Sequence, residues 1–241
     1  MTGLSPQDMA KDAAARAAAG LVQDGMRLGL GTGSTAAWLV RRLAERVEAE
    51  GLTLRLASTS EATAKQARDL GMQVEELDQI GWLDLTIDGA DEIDPDLNLI
   101  KGGGGALLRE KIVASASDQM VVIADQSKLV DRLGLFHLPV EVIPFGWETT
   151  QTLIRNILEH QDMLQRPVIL RKRDGLPFQT DEGNLILDLA LEEIHDPARL
   201  AQALNALPGV VENGLFLGLC KRAIIGHEDG SVSELMAEDA A

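Results

Sequence analysis

Over the first 135 residues, short apolar runs alternate with stretches whose apolar positions recur at helical spacing. Residues 11–21 are alanine-rich and predict a helix. Residues 26–30 read as a strand that runs into the turn Gly31-Thr32-Gly33-Ser34-Thr35. Ala36, Leu39, Val40, Leu43 and Val47 then share one face of a helix that closes at Gly51. Residues 53–57 predict a second strand, followed by Ser58-Thr59-Ser60 and a helix to about residue 70. Residues 83–87 predict a third strand, which ends on Asp88. Residues 106–116 read as a helix and 120–124 as a buried strand. Strand and helix in repeated succession imply parallel strands joined by right-handed crossovers.

From about residue 139 the pattern changes. A strand over 140–143 and a helix over 148–160 precede two strands, 167–171 and 185–189, joined through Asp174-Gly175 and Asp181-Glu182-Gly183-Asn184. Residues 196–207 predict a helix capped by Asp196 and stopped by Pro208-Gly209. Residues 215–225 are apolar enough for one or two closing strands, whereas 228–241 form a polar, acidic tail expected to fray. The fold class expected is α/β: an open, mainly parallel, Rossmann-like sheet flanked by helices, with a second, smaller α+β domain. The boundaries expected are 1–134 plus 207–228 for the larger domain, 135–206 for the smaller one and 229–241 for the tail.

Composition narrows the function. The chain has 241 residues, 45% of them hydrophobic, which is enough for a sizeable core. No apolar run reaches the roughly 18 residues of a membrane span. The first residues show neither a basic start nor an apolar signal core, so no export signal is expected. A lone cysteine, Cys220, rules out an internal disulfide and suits the cytoplasm. The formal net charge of -16 makes nucleic acid and anionic membranes poor partners. An anionic small molecule would need local attraction from loop amides, a helix N-terminus and a few lysines.

Ligands of open parallel sheets bind at the carboxyl ends of the strands, and four predicted strands end in unusual chemistry. One meets the turn at 31–35, one meets Ser58-Thr59-Ser60, one ends on Asp88, and the last meets Asp125-Gln126-Ser127-Lys128. The turn at 31–35 is not a nucleoside triphosphate loop, and its spacing does not fit a dinucleotide fingerprint. It suits a single phosphate group.

The densest chemistry is Asp88-Gly89-Ala90-Asp91-Glu92-Ile93-Asp94, followed by Lys101-Gly102-Gly103-Gly104-Gly105 and then Glu110. Adjacent glycines lose much backbone entropy on ordering. They predict a backbone that closely approaches something else. Asp94, before Pro95, reads as a turn residue. Carboxylates alone could hold Mg²⁺, but Lys101 would compete, so no metal and no cofactor are expected. Glu110 falls in a first helical turn, where it could serve the helix dipole, pair with Arg109 or Lys111, or act as a general base. Lys128 could reach a phosphate, and Lys11 is a weaker candidate. The four histidines form no metal pair, and no acyl-transfer arrangement is present.

Together these motifs, with Arg109-Glu110-Lys111-Ile112, resemble the A-type ribose-5-phosphate isomerases. The resemblance runs in order along nearly the whole chain. It implies a metal-free exchange of D-ribose 5-phosphate and D-ribulose 5-phosphate through a cis-enediolate. Glu110 would carry the proton between C1 and C2, with Asp88, Asp91 and Lys101 as the other catalytic residues. Asp88 would assist ring opening, and Asp91 and Lys101 would lie near the developing oxyanion and the sugar hydroxyls. Thr32, Gly33, Ser34, Thr35, Asp88, Gly89, Ala90, Asp91, Lys101, Gly102, Gly103, Gly104 and Lys128 would bind the sugar phosphate. The small domain would be ferredoxin-like, and a homodimer or homotetramer is implied. A sugar-phosphate sensor on the same fold is the alternative, although a sensor can dispense with the base. A CoA-transfer enzyme with a glutamate nucleophile is a third reading, for which no basic groove is evident.

Overall fold

The computed structural model describes residues 4–160 and 165–237. In chain order come α1 (Pro6–Ala19), β1 (Arg27–Leu30), α2 (Ser34–Glu50), β2 (Arg55–Ser58), α3 (Glu61–Asp69), α4 (Leu77–Ile80) and β3 (Leu85–Asp88). Then follow β4 (Glu92–Ile93), β5 (Leu99–Ile100), α5 (Leu107–Ser115) and β6 (Met120–Asp125), the last closed by a 3-10 turn, Gln126–Lys128. Next are β7 (Leu138–Val142), α6 (Trp147–His160), β8 (Val168–Leu170), β9 (Lys172–Arg173), β10 (Leu176–Pro177) and β11 (Leu185–Leu189). The remainder is α7 (Pro197–Asn205), β12 (Val210–Asn213), β13 (Leu215–Phe216), β14 (Cys220–Gly226) and β15 (Val232–Met236).

These elements form two compact units. The first comprises residues up to 90, 109–129 and those from 218 onward; the second comprises 91–108 and 130–217. The sequence assigns 91–108 to the larger domain. In the structure β4 and β5 instead pair with each other and with β13, inside the second unit.

The first unit is built on a six-stranded sheet in the order β15-β14-β6-β3-β1-β2. Five strands are parallel, and β15 alone runs antiparallel, against β14. Leu39, Val40 and Leu43 of α2 join Ala14, Ala15 and Ala18 of α1 over Leu28, Leu30, Ile87 and Ile123 of the sheet. Burying each large aliphatic side chain contributes about 1.5–3 kcal/mol. Helix starts follow from local chemistry: the Ser5 hydroxyl accepts the Asp8 amide at 3.1 Å, and Ser60 accepts that of Thr63 at 3.2 Å. The expectation of a frayed tail was wrong for 232–236, which form the edge strand β15, tied by Glu234 to Arg222 at 2.6 Å.

The second unit contains a four-stranded antiparallel sheet in the order β12-β7-β11-β8. With α6 after β7 and α7 after β11, the succession is βαββαβ, the ferredoxin-like pattern. Ile154, Leu158, Leu200 and Leu204 of its helices pack with Leu138, Val140, Leu187 and Leu189 of its sheet. The pair β9 and β10 forms a hairpin whose turn residues, Asp174 and Gly175, both have positive φ, 54° and 81°. An Asp-Gly pair is suited to such a turn. Among the described residues, no helix is long and apolar enough to cross a membrane.

Candidate active site

In the first unit, parallel pairing puts the carboxyl ends of β1, β2, β3 and β6 on one sheet edge. Leu30 lies in register with Ser58 and Ile87, and Asp88 with Val122. The loops singled out from sequence therefore do open together. Asp88 is fully buried there, and its Oδ1 accepts the amides of Thr32 at 2.9 Å and Gly89 at 2.7 Å. Gly31 passes so close to Asp88 that a β-carbon at position 31 would collide with the carboxylate and with the Asp88 backbone. Here the glycine serves the protein's own carboxylate.

The Thr32 hydroxyl meets Thr59 Oγ1 at 2.6 Å and Ser60 Oγ at 2.8 Å, while Thr63 donates to the Gly31 carbonyl at 2.9 Å. This hydroxyl cluster braces the turn from below. Thr63 was missed in the sequence, although its spacing from Ser60 is that of a capped helix start. Gly33 and Ser34 are exposed and Thr35 is buried. Gly33 is the N-cap of the 17-residue α2, and no side chain caps that end. Unpaired first-turn amides on a long helix suit an anion. Asp125 caps the 3-10 turn by accepting the Ser127 amide at 3.0 Å, which places half-buried Lys128 at the turn's end on the same sheet edge. Lys11 is half-buried on α1.

Glu110 sits in the first turn of α5 and is only 4% exposed. Its neighbour Arg109 reaches Glu61 Oε1 at 2.9 Å, at the start of α3, and so ties the α5 turn to the residue after Ser60.

The second unit carries Asp91, Lys101 and the glycine run. Asp91 Oδ2 accepts the Gly103 amide at 2.7 Å. Lys101 is 2% exposed, with Nζ 5.4 Å from the centre of the Phe216 ring. The run is crowded by the protein itself. A β-carbon on Gly103 would lie 2.6 Å from Asp91 Oδ1, and one on Gly105 would strike the Phe178 ring. The Gly102 and Gly103 carbonyls accept from Arg171 Nη1 at 2.7 and 3.2 Å. Sequence reasoning missed Arg171, because an isolated arginine beside a short strand carries no local signal. Asp94 is a turn residue as expected: its Oδ1 accepts the amides of Asp96 at 3.0 Å and Asn98 at 2.8 Å. Glu92 is buried and serves structure, with Oε2 accepting the Gly134 amide at 2.7 Å.

Among the described residues of this unit, Glu141, on β7, is the one buried carboxyl with a clear shift. Burial pushes its pKa up, against hydrogen bonds at 2.9 Å from both Asn184 and Thr180. Among the described residues, no group of three or more His, Cys, Asp or Glu side chains is placed to hold a metal ion.

The family described as ribose 5-phosphate isomerase A (phosphoriboisomerase A) matches residues 55–230. A protein of Dinoroseobacter shibae named ribose-5-phosphate isomerase A is 62% identical over 229 residues, 95% of this chain and 88% of that protein. The solved ribose 5-phosphate isomerase of Plasmodium falciparum superposes with a TM-score of 0.88 at 38% identity, covering 95% of this chain and 98% of that one. A D-ribose-5-phosphate isomerase in complex with phospho-erythronic acid superposes with a TM-score of 0.86 at 35% identity, over 95% of this chain and 98% of that one.

Proposed function

The chain belongs to the ribose 5-phosphate isomerase A family, and from that premise we propose how its residues carry the isomerisation of ribose 5-phosphate. The observation that carries the proposal is Glu110: a buried carboxyl in a first helical turn, tied through Arg109 to a sheet edge that also bears Asp88 and the turn at 31–35. Glu110 takes the C2 proton of the open-chain aldose and returns it to C1. A placed base contributes about 10²–10⁴-fold. Lys101, Asp91 and the glycine run act on the oxygens of the cis-enediolate, where one donor is typically worth roughly 3 kcal/mol. Asp88, held by two amides, assists ring opening.

The α2 N-terminus with Thr32, Gly33, Ser34 and Thr35, together with Lys128, holds the phosphate. Gly89, Ala90, Gly102, Gly103 and Gly104 contribute backbone contacts to the sugar. The phospho-erythronic acid bound by a family member is a four-carbon acid phosphate whose carboxylate can mimic the enediolate, which supports a sugar phosphate as the substrate. The exchange needs no metal in this scheme. A cytoplasmic setting and a homodimer or homotetramer belong to the same proposal.

The test is exchange in D₂O with ribose 5-phosphate, followed by NMR. The wild-type protein should form the ketose and take solvent deuterium into its carbon skeleton. Glu110→Gln should lower kcat by about 10²-fold or more. Near-normal activity of this variant would remove the role given to Glu110, and loss of wild-type activity on chelation would remove the metal-free route.

A further inference from the structure

Arg171 follows β8 and is mostly buried, its side chain 15% exposed. Its Nε and Nη2 grip the two oxygens of Asp188 at 2.9 and 2.5 Å, a two-point pairing that fixes the guanidinium plane. The remaining nitrogen, Nη1, donates to the carbonyls of Gly102 and Gly103. These carbonyls belong to consecutive peptides. In a trans peptide the N–H points opposite to the C=O. With the first carbonyl on Arg171, the Gly103 N–H turns to Asp91 Oδ2, as observed at 2.7 Å. With the second on Arg171, the Gly104 N–H turns to that same side. Gly104 is exposed, and its amide meets no acceptor among the described residues. Phe178 closes the far end of the run against Gly105, and Arg173 stacks over its ring 4.5 Å from the centre.

We propose that Arg171 is a positioning residue for the isomerisation: by holding two successive carbonyls, it presents the Gly104 amide as a donor to a substrate oxygen. Its charge also polarises both peptides, which strengthens their N–H groups as donors. Without it, the peptide after Gly103 is free to turn over and aim a carbonyl at the developing oxyanion. Lysine cannot substitute fully, since it lacks the planar fork that holds Asp188 and both carbonyls together. This inference rests on the isomerase reading.

The experiment compares Arg171→Ala and Arg171→Lys with the wild-type protein for kcat, KM and Tm, with and without added guanidinium ion. Misplacing one peptide should lower kcat of Arg171→Ala by roughly 10- to 100-fold. KM should change little, because the phosphate anchor lies elsewhere. Guanidinium should restore part of the lost kcat, an outcome a merely structural brace would not give. Wild-type kcat in a folded Arg171→Ala, or a loss that guanidinium leaves untouched, overturns the proposal. Should Arg171→Ala fail to fold, Arg171→Lys decides: a lowered kcat at unchanged KM and Tm supports positioning, and a normal kcat overturns it. A wild-type protein inactive on ribose 5-phosphate would overturn the isomerase reading itself, whereas an active wild type with unaffected variants overturns the Arg171 role alone.

Discussion

Two lysines with the same charge sit in opposite surroundings. Lys101 is 2% exposed against Phe216, whereas Lys128 is half-buried at the end of a surface turn. A buried cation interacts strongly over short distances and is weakly screened. A partly solvated one attracts an anion but is readily replaced by water and salt. Lys101→Ala is therefore expected to lower kcat by about 10²–10³-fold, the scale of a lost oxyanion donor. Lys128→Ala is expected to raise KM with kcat nearly kept, as for uniform binding. Steady-state kinetics of both variants check the division, and a change confined to KM in both would show it to be wrong. At this scale the sequence was informative about where Asp88, Asp94 and Glu110 sit: at a strand end, in a turn and in a first helical turn. The glycines predict a backbone brought close to something else, and at Gly31, Gly103 and Gly105 the neighbours include Asp88, Asp91 and Phe178 of the protein itself. Arg171 was invisible because the carbonyl it holds lies 69 residues earlier.

Among the elements, the five parallel strands were legible because buried strands read as continuous apolar runs, and their helices because one face repeats at helical spacing. The pieces that escaped are those whose existence depends on a partner. Strands β4, β5 and β13 have two residues each and exist only as rungs of one another. The edge strand β15 is exposed along most of its length and lies within an acidic stretch of sequence, so its surroundings resemble a tail. Strand β7 carries its own testable consequence through Glu141. Its folded pKa lies above its unfolded value because burial disfavours the charge. The stability from its neutral form is complete below the unfolded pKa, about 4.3, and is lost as pH rises through the higher folded value. Glu141→Gln keeps the acceptor for Thr180 and Asn184 while removing the ionisation. Its Tm relative to wild type should climb with pH across that window and then level off. A difference that stays flat with pH would contradict the account.

For the whole molecule, the six-stranded sheet has two edge strands, β2 at one side and β15 at the other. Covering β14 is the particular service of β15. The β14 residues Ala223, Ile224 and Ile225 are all buried, and their strand partners on one flank are Leu235, Glu234 and Ser233. An apolar strand with a bare row of amides and carbonyls is a template for pairing with another chain. By occupying that edge, β15 shields β14 from pairing with another chain, with Glu234 on Arg222 as its fastening. Ending the chain before residue 232 should leave a protein that forms oligomers of growing size on storage or warming. Light scattering of the shortened and full chains at equal concentration would reveal it, and identical traces would refute it. The same feature sets a practical boundary: a stretch that reads as dispensable acidic trailing sequence is where colloidal stability would be lost first.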